Sequence, residues 1–272
     1  MGAGIAEVAA LSGFEVILSD VSEQVLAKAL ERITGDFRKS VERGKISPAQ
    51  SDASIRKIRT STTFDPLSGA DAVIEAATES LQLKQEIFRR LESAAGPEAI
   101  LATNTSSLSI TTIASAVSRP ERVIGMHFFN PAHIMKLVEI VPGHRTSEAA
   151  TLEATALAER LGKIPVLAKD APGFIVNRIA RPFYGEALRL LGEGVATVGE
   201  IDRIVKLEAG FAMGPFELMD LIGIDVNYSV TLSIYEQSFG EPRYRPHAIQ
   251  RTMVGAGKLG RKTGEGFYRY TR

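Results

Sequence analysis

The chain has 272 residues, with 32 basic and 32 acidic side chains, four histidines, no cysteine and no tryptophan. Disulfides, thiol catalysis and cysteine-ligated zinc are thereby excluded, and a formal charge of zero supplies no field to hold a polyphosphate backbone, so no nucleic-acid partner is expected. A 44 % apolar fraction beside 24 % charged residues is the composition of a globular chain, long enough for one large domain or two of moderate size. The opening run MGAGIAEVAALSGFEVIL lacks a basic start and carries Glu7 and Glu15, so it does not read as a signal peptide, and no long uncharged apolar stretch suggests a membrane span. A soluble, cytoplasmic protein is expected.

From Ile5 to Ser12 apolar and small residues recur at helical spacing, and Gly13 stands where a helix C-cap would. FEVIL at 14–18 reads as a strand that runs into Ser19 and Asp20. Ser22, as an N-cap, opens a long and heavily charged helical pattern; after Pro48 and Gln50 comes another polar helical segment, then a turn at Asp65-Pro66. The strand DAVIEAA at 71–77 follows, then a helix from about Gln82 to Ala95 and the strand AILAT at 99–103. A polar turn NTSS at 104–107, a short helix around 109–117 and the apolar strand RVIGMHFFN at 122–130 complete this half. Strands alternating with helices of this length predict βαβ units and a mostly parallel, doubly wound sheet covered on both faces, the α/β class. Past Lys169 the alternation stops: DAPGFIVNR leads into long helical periodicity with Gly214-Pro215 as punctuation. The predicted organisation is an α/β domain over residues 1–169 with a helical extension at about 22–57, and an all-α domain over residues 170–272.

Gly2-Ala3-Gly4 opens the first helix, and Asp20 closes the next strand. In a dinucleotide fold, helix N-terminal amides meet the pyrophosphate and such an acid accepts from the ribose hydroxyls, an arrangement that favours NAD over NADP. The alternative is a flexible start and an Asp that caps the following helix. Gly2 would be the third glycine of the fingerprint, with the first two and the strand feeding them absent. Glu79 and Lys84 sit just beyond the DAVIEAA strand, at the sheet edge that presents ligand-binding loops; read as a solvated pair near a helix start they would carry no function.

None of the four histidines has a partner at metal-ligand spacing, so no metal site is expected. His144 and His247 lie in polar, turn-like contexts. His127 differs, at the carboxyl end of an apolar strand in MHFFNP, with Glu139 inside the second apolar strand MKLVEIV, where a carboxylate is expensive unless paired. The turn NPAHI lets the two strands run side by side, and an imidazole held by a carboxylate makes a general base that tolerates becoming imidazolium. The alternative is a His bonded to backbone and a Glu on a solvent face. Ser106 in NTSS and Asn177 in PGFIVNR could complete a site, or could be a helix cap and an interhelical hydrogen bond.

GxGIA at 2–6, TNTSSL at 103–108, HFFNP at 127–131, MKLVEIV at 135–141, KDAPGFIVNR at 169–178, MGPFELMD at 213–220 and GRKTGEGFYRY at 260–270 together resemble the L-3-hydroxyacyl-CoA dehydrogenase family, over nearly the whole chain. The resemblance implies a Rossmann-type domain followed by a helical domain that serves dimerisation, hence a homodimer, with the active site in the cleft and an acyl-CoA as substrate. His127 and Glu139 match the family's catalytic pair, Ser106 and Asn177 its substrate-contacting serine and asparagine. Gly2, Asp20, Glu79, Lys84, Asn104 and Ser106 match positions beside the NAD cofactor. The extension at 22–57 matches a protruding helical hairpin that helps cover the CoA moiety, with Lys45 as a candidate contact. The implied activity is NAD-dependent oxidation of the C3 hydroxyl of an (S)-3-hydroxyacyl-CoA, or the reverse. A 3-hydroxyisobutyrate or 6-phosphogluconate type dehydrogenase, which relies on a lysine in its helical domain, and a crystallin-like or truncated non-catalytic relative are the alternatives. Since Met1 falls inside the nucleotide fingerprint, one strand and its glycine turn, roughly ten to fifteen residues, are expected ahead of it.

Overall fold

Helix α1 (Gly2–Leu11) opens the computed structural model, which describes residues 1–271. It buries Ile5, Ala6, Val8 and Ala10, the face that its helical spacing predicts, and gives way at Gly13 (φ +92°), a conformation that suits glycine. Strand β1 (Val16–Ser19) leads to α2 (Glu23–Glu42), where Ser22 accepts a hydrogen bond from the amide of Val25. Helix α3 (Pro48–Arg56) starts from a reciprocal cap: Ser47 accepts from the Gln50 amide while the Gln50 side chain accepts from that of Ser47. The long α2 is charged outside but not loose. Ile33 and Phe37 are buried with Ala6 of α1, and Val16, Ile55 and Ile58 pack on them, so the extension is anchored to the first helix and strand.

The polar pattern after Pro48 predicts helix as far as the Asp65-Pro66 turn, yet residues 58–61 form β2 (Ile58–Ser61), parallel to β1 in the register Val16 to Ile58. Four residues are too few to show a strand period, and β1 supplies the partners that decide their conformation. The remaining elements of this unit are β3 (Ala72–Glu75), α4 (Leu81–Ala94), β4 (Ile100–Thr103), α5 (Ile110–Ala114), β5 (Val123–Phe128), β6 (Leu137–Pro142), α6 (Glu148–Arg160) and β7 (Ile164–Leu167). Five of these strands make one sheet in the order β3-β4-β5-β6-β7, parallel throughout except for the antiparallel β5/β6 pair. Pro165 is tolerated in β7 because that strand lies at the edge. Ile100, Ala102, Ile124, Met126, Val138 and Ile140 form the core of the sheet, covered by Ala154 and Ala158 of α6 and by Ile5 and Val8 of α1.

The β1/β2 pair is a separate two-stranded sheet. Among the described residues no strand pairs with the second edge of β1 or of β3.

The chain divides into two compact units, Met1–Asp170 and Ala171–Arg272. The second holds α7 (Val176–Gly192), α8 (Val198–Glu208), α9 (Pro215–Ile222), α10 (Ile224–Gln237) and α11 (Ala248–Gly255) around Tyr184, Leu188, Phe216, Met219 and Ile224. Two buried aspartates organise it. Asp202 of α8 accepts from the first-turn amides of Phe216 and Glu217 (both 2.9 Å) and from the Tyr268 hydroxyl (2.8 Å), capping α9 from a neighbouring helix. Asp220 accepts from the amides of Phe267 and Tyr268 and from the Tyr270 hydroxyl, all at 2.9 Å. Burial, then the bond to Asp220, pushes the Tyr270 phenol up to about 12. A Cβ at Gly214 would collide with Asp202, and one at Gly266 with Asp220, which is why MGPFELMD and GRKTGEGFYRY need glycine at those positions. Among the described residues no helix is long and apolar enough to cross a membrane.

Candidate functional site

The antiparallel register of β5 and β6 sets His127 directly opposite Glu139. Directly opposed residues on an antiparallel pair point to the same face with their Cβ atoms about 5 Å apart, so the pairing follows from backbone geometry once the turn between the strands has this length. His127 Nδ1 lies 2.7 Å from Glu139 Oε2. Glu139 is 0 % exposed, which rules out the solvent-facing carboxylate, and His127 is buried with its ring against Phe129 at 4.6 Å between centroids. A carboxylate on Nδ1 fixes the tautomer that carries its proton there and leaves Nε2 as the basic nitrogen.

Next to this strand, at the carboxyl ends of β3 and β4, lies a second network. Glu75 accepts from Lys84 Nζ at 2.8 and 2.9 Å, from the Thr103 hydroxyl at 2.7 Å and from the Ala77 amide at 2.6 Å. Lys84, 1 % exposed, also lies 3.6 Å from Glu79. The solvated Glu–Lys pair is therefore corrected for Lys84, whose ammonium is compensated inside the unit by Glu75. Glu79 Oε1 accepts from the Thr105 hydroxyl (2.6 Å) and from the amides of Ser106 (2.9 Å) and Ser107 (3.2 Å), and so gathers the NTSS turn. Asn104 Oδ1 accepts from the Phe128 amide at 2.8 Å, tying that turn to the residue after His127. Asp170 holds the start of α5 through the Ser109 hydroxyl and the amides of Ile110 and Thr111.

Glu75 and Asp170 are absent from the residues the sequence singles out. The signal for Glu75 was present: it stands inside an apolar strand exactly as costly for a carboxylate as the setting of Glu139. Asp170 carries no such signal, because its partners lie about sixty positions earlier in the chain.

Gly2 is the first residue of α1, and a Cβ there would lie 3.8 Å from Ala76 just after β3. No side chain caps this helix start, so its first-turn amides are presented to an anion, and Asp20, half-buried, follows the carboxyl end of β1. One oxygen of Asp20 accepts from the Ser22 amide at 3.1 Å. An uncapped helix start with a carboxylate at the end of the neighbouring strand fits a dinucleotide. Lys45 is exposed in the turn between α2 and α3. Asn177 belongs to the second unit, near the start of α7, where its side-chain oxygen lies 3.5 Å from Arg181 Nη2. Arg181 is itself buried, and burial brings its guanidinium down to about 10. His144 is exposed, while His247 is half-buried and accepts from the Ile249 amide at the start of α11.

A model of the family described as 3-hydroxyacyl-CoA dehydrogenase, NAD binding domain, matches residues 1–171, and one of the 3-hydroxyacyl-CoA dehydrogenase C-terminal domain matches residues 173–270. The 3-hydroxyadipyl-CoA dehydrogenase of Escherichia coli K12 is 46 % identical over 268 residues; the alignment takes in 98 % of this chain but 56 % of that protein, so this chain spans little more than half its length. The probable 3-hydroxybutyryl-CoA dehydrogenase of Deinococcus radiodurans is 42 % identical over 99 % of this chain and 96 % of its own length. Among solved structures, (S)-3-hydroxybutyryl-CoA dehydrogenase from Ralstonia eutropha superposes with a TM-score of 0.96 at 42 % identity, covering 100 % of this chain and 96 % of that one.

Proposed function

The chain belongs to the 3-hydroxyacyl-CoA dehydrogenase family, and from that premise we propose that it is an NAD-dependent oxidoreductase that converts an (S)-3-hydroxyacyl-CoA to the 3-oxoacyl-CoA and back. The observation that carries the reading is the 2.7 Å contact between His127 Nδ1 and a fully buried Glu139. With Nδ1 committed to the carboxylate, Nε2 takes the proton of the C3 hydroxyl as its O–H bond breaks and the C3–O bond gains double-bond character. NAD supplies the acceptor for the hydride leaving C3. Glu139 stabilises the imidazolium that results, which lowers the cost of moving a charge into a site shielded from water.

The uncapped start of α1 would hold the pyrophosphate and Asp20 the adenosine ribose. Glu79 and Asn104 position the turn that carries Ser106, and Ser106 and Asn177 act as hydrogen-bonding groups toward the substrate's oxygens. Lys45, on the exposed turn of the helical extension, is suited to a CoA phosphate. Ile204, Leu207, Phe211, Leu221 and Ile222 leave the second unit with large exposed apolar side chains, which supports pairing with a second copy through residues 170–272. A cytoplasmic location agrees with these substrates.

The test is the appearance of NADH when the chain is given NAD and (S)-3-hydroxybutyryl-CoA or (S)-3-hydroxyadipyl-CoA. Turnover with the S thioesters and none with the R enantiomers is expected. Absence of turnover with every S thioester, at cofactor concentrations that saturate NADH fluorescence, would overturn the reading.

A further inference from the structure

Away from His127, three side chains distant in sequence converge within the first unit: Glu7 from the middle of α1, Asp36 from α2 and His133 from the turn after β5. One ligand atom of each lies within 4.8 Å of the other two. Glu7 is 4 % exposed, and its Oε2, shielded from solvent, accepts no hydrogen bond among the described residues. An ionised oxygen left so is costly, and the cost points to a missing partner. The separation of Glu7 Oε2 from His133 Nδ1 is 3.5 Å. That is too long for a charge-assisted hydrogen bond, at about 2.7–2.9 Å. It is close to the edge of a tetrahedron whose corners lie about 2.1 Å from a central ion, an edge of about 3.4 Å. Beside the cluster a cavity of about 130 Å³, lined by Asp36 and His133 together with Met1, Gly4 and Arg32, leaves room for a water in a fourth position.

We propose that Glu7, Asp36 and His133 bind one divalent transition-metal ion of the zinc class, with a water from the adjoining cavity as fourth ligand. Two carboxylates and an imidazole are an oxygen and nitrogen set that zinc accepts in tetrahedral geometry. Burial, and then the charge of Asp36, pushes the Glu7 carboxyl up to about 7 against the smaller pull of the Arg32 guanidinium and the Lys163 ammonium, and Lys163 donates to the carbonyls of Ala132 and Met135 in the same turn, so the nearby cations leave the carboxylate short of compensation. Asp36 also lies 3.4 Å from the exposed Lys39, a contact weak enough to give way to an ion. The bound ion would join α1, α2 and the turn that follows the His127 strand, three segments that meet at no covalent link. Its role is to fix that turn; it takes no part in hydride or proton transfer.

The experiment uses the whole chain, freed of metal by a chelator that is then removed, and titrated with zinc chloride by calorimetry and by thermal melting. One ion per chain is expected, with a rise in melting temperature of about 5–10 °C at a hundredfold excess over the dissociation constant. His133→Ala and Asp36→Asn, at accessible positions, are expected to melt as the parent does in chelator and to lose at least tenfold in zinc affinity; Glu7→Gln loses it as well. Cobalt in place of zinc should give the visible absorption of a tetrahedral site, abolished in His133→Ala. No heat and no melting shift with zinc would overturn the proposal, since protonation alone then settles Glu7. Undiminished binding by His133→Ala would overturn it too, by moving the ion to another histidine.

Discussion

Both units bury carboxylates, and they use them differently. In the second unit Asp202 and Asp220 accept from backbone amides and tyrosine hydroxyls, groups that hold their protons across the ordinary pH range. In the first unit Glu139 faces an imidazole and Glu75 an ammonium. A carboxylate bonded to amides is fixed to one conformation of the chain and can only stabilise it. One bonded to an imidazole stabilises a charge that comes and goes, which is what proton transfer requires. Burial alone does not distinguish the two uses. The partner does.

His127→Gln breaks the comparison most severely. It should lower kcat for 3-hydroxyacyl-CoA oxidation about 10³- to 10⁴-fold while NADH, titrated by fluorescence, binds as before. Near-normal turnover would remove His127 from the mechanism. Glu75→Gln comes next and acts on stability: it leaves the buried Lys84 charged with only the longer 3.6 Å contact to Glu79 as compensation, at a cost of about 3 kcal/mol by urea unfolding. The double variant Glu75→Gln, Lys84→Met should recover most of that loss, whereas a double variant as unstable as the single one would show that the ion pair is not the origin of the cost. Asp220→Ala tests the structural use in the second unit. Two amides and a phenol lose their acceptor, and about 3 kcal/mol should be lost on unfolding, with the His127–Glu139 contact untouched. The smallest effect is expected at Thr197→Ala, which removes the reciprocal cap of α8 with Glu200 and should cost about 1 kcal/mol with kcat unchanged. A larger loss there would mean that α8 depends on its cap more than on the packing of Ile201.

Much of this was legible in residue order. Alternation of apolar strands with amphipathic helices predicts the α/β half, and Ser22 caps the helix it should. His127 and Glu139 could be read as a pair because one short connection, residues 129–136, separates two antiparallel strands, so their register is nearly local. Three strands show why other features were not. β2 has only four residues and no period of its own, β7 contains a proline that ordinarily argues against a strand, and β3 conceals in Glu75 a carboxylate whose partner comes from α4 and whose second neighbour comes from β4. The short α5, ending at Ala114 where the pattern predicts helix to about 117, likewise takes its start from Asp170.

By itself the sequence determined the class of fold, the change from α/β to α near residue 170 and the pairing of one histidine with one glutamate. Each of these rests on spacings of two to a dozen residues, within which backbone geometry alone decides which side chains can meet. The tertiary structure decided what the remaining charges do. Lys84 is an interior ion pair because α4 packs back over the end of β3 and sets its ammonium on Glu75, with Thr103 of the adjacent β4 as a further donor, and Glu7, Asp36 and His133 form one cluster because two helices and a turn converge. Such meetings depend on how elements stack, and no local period records them.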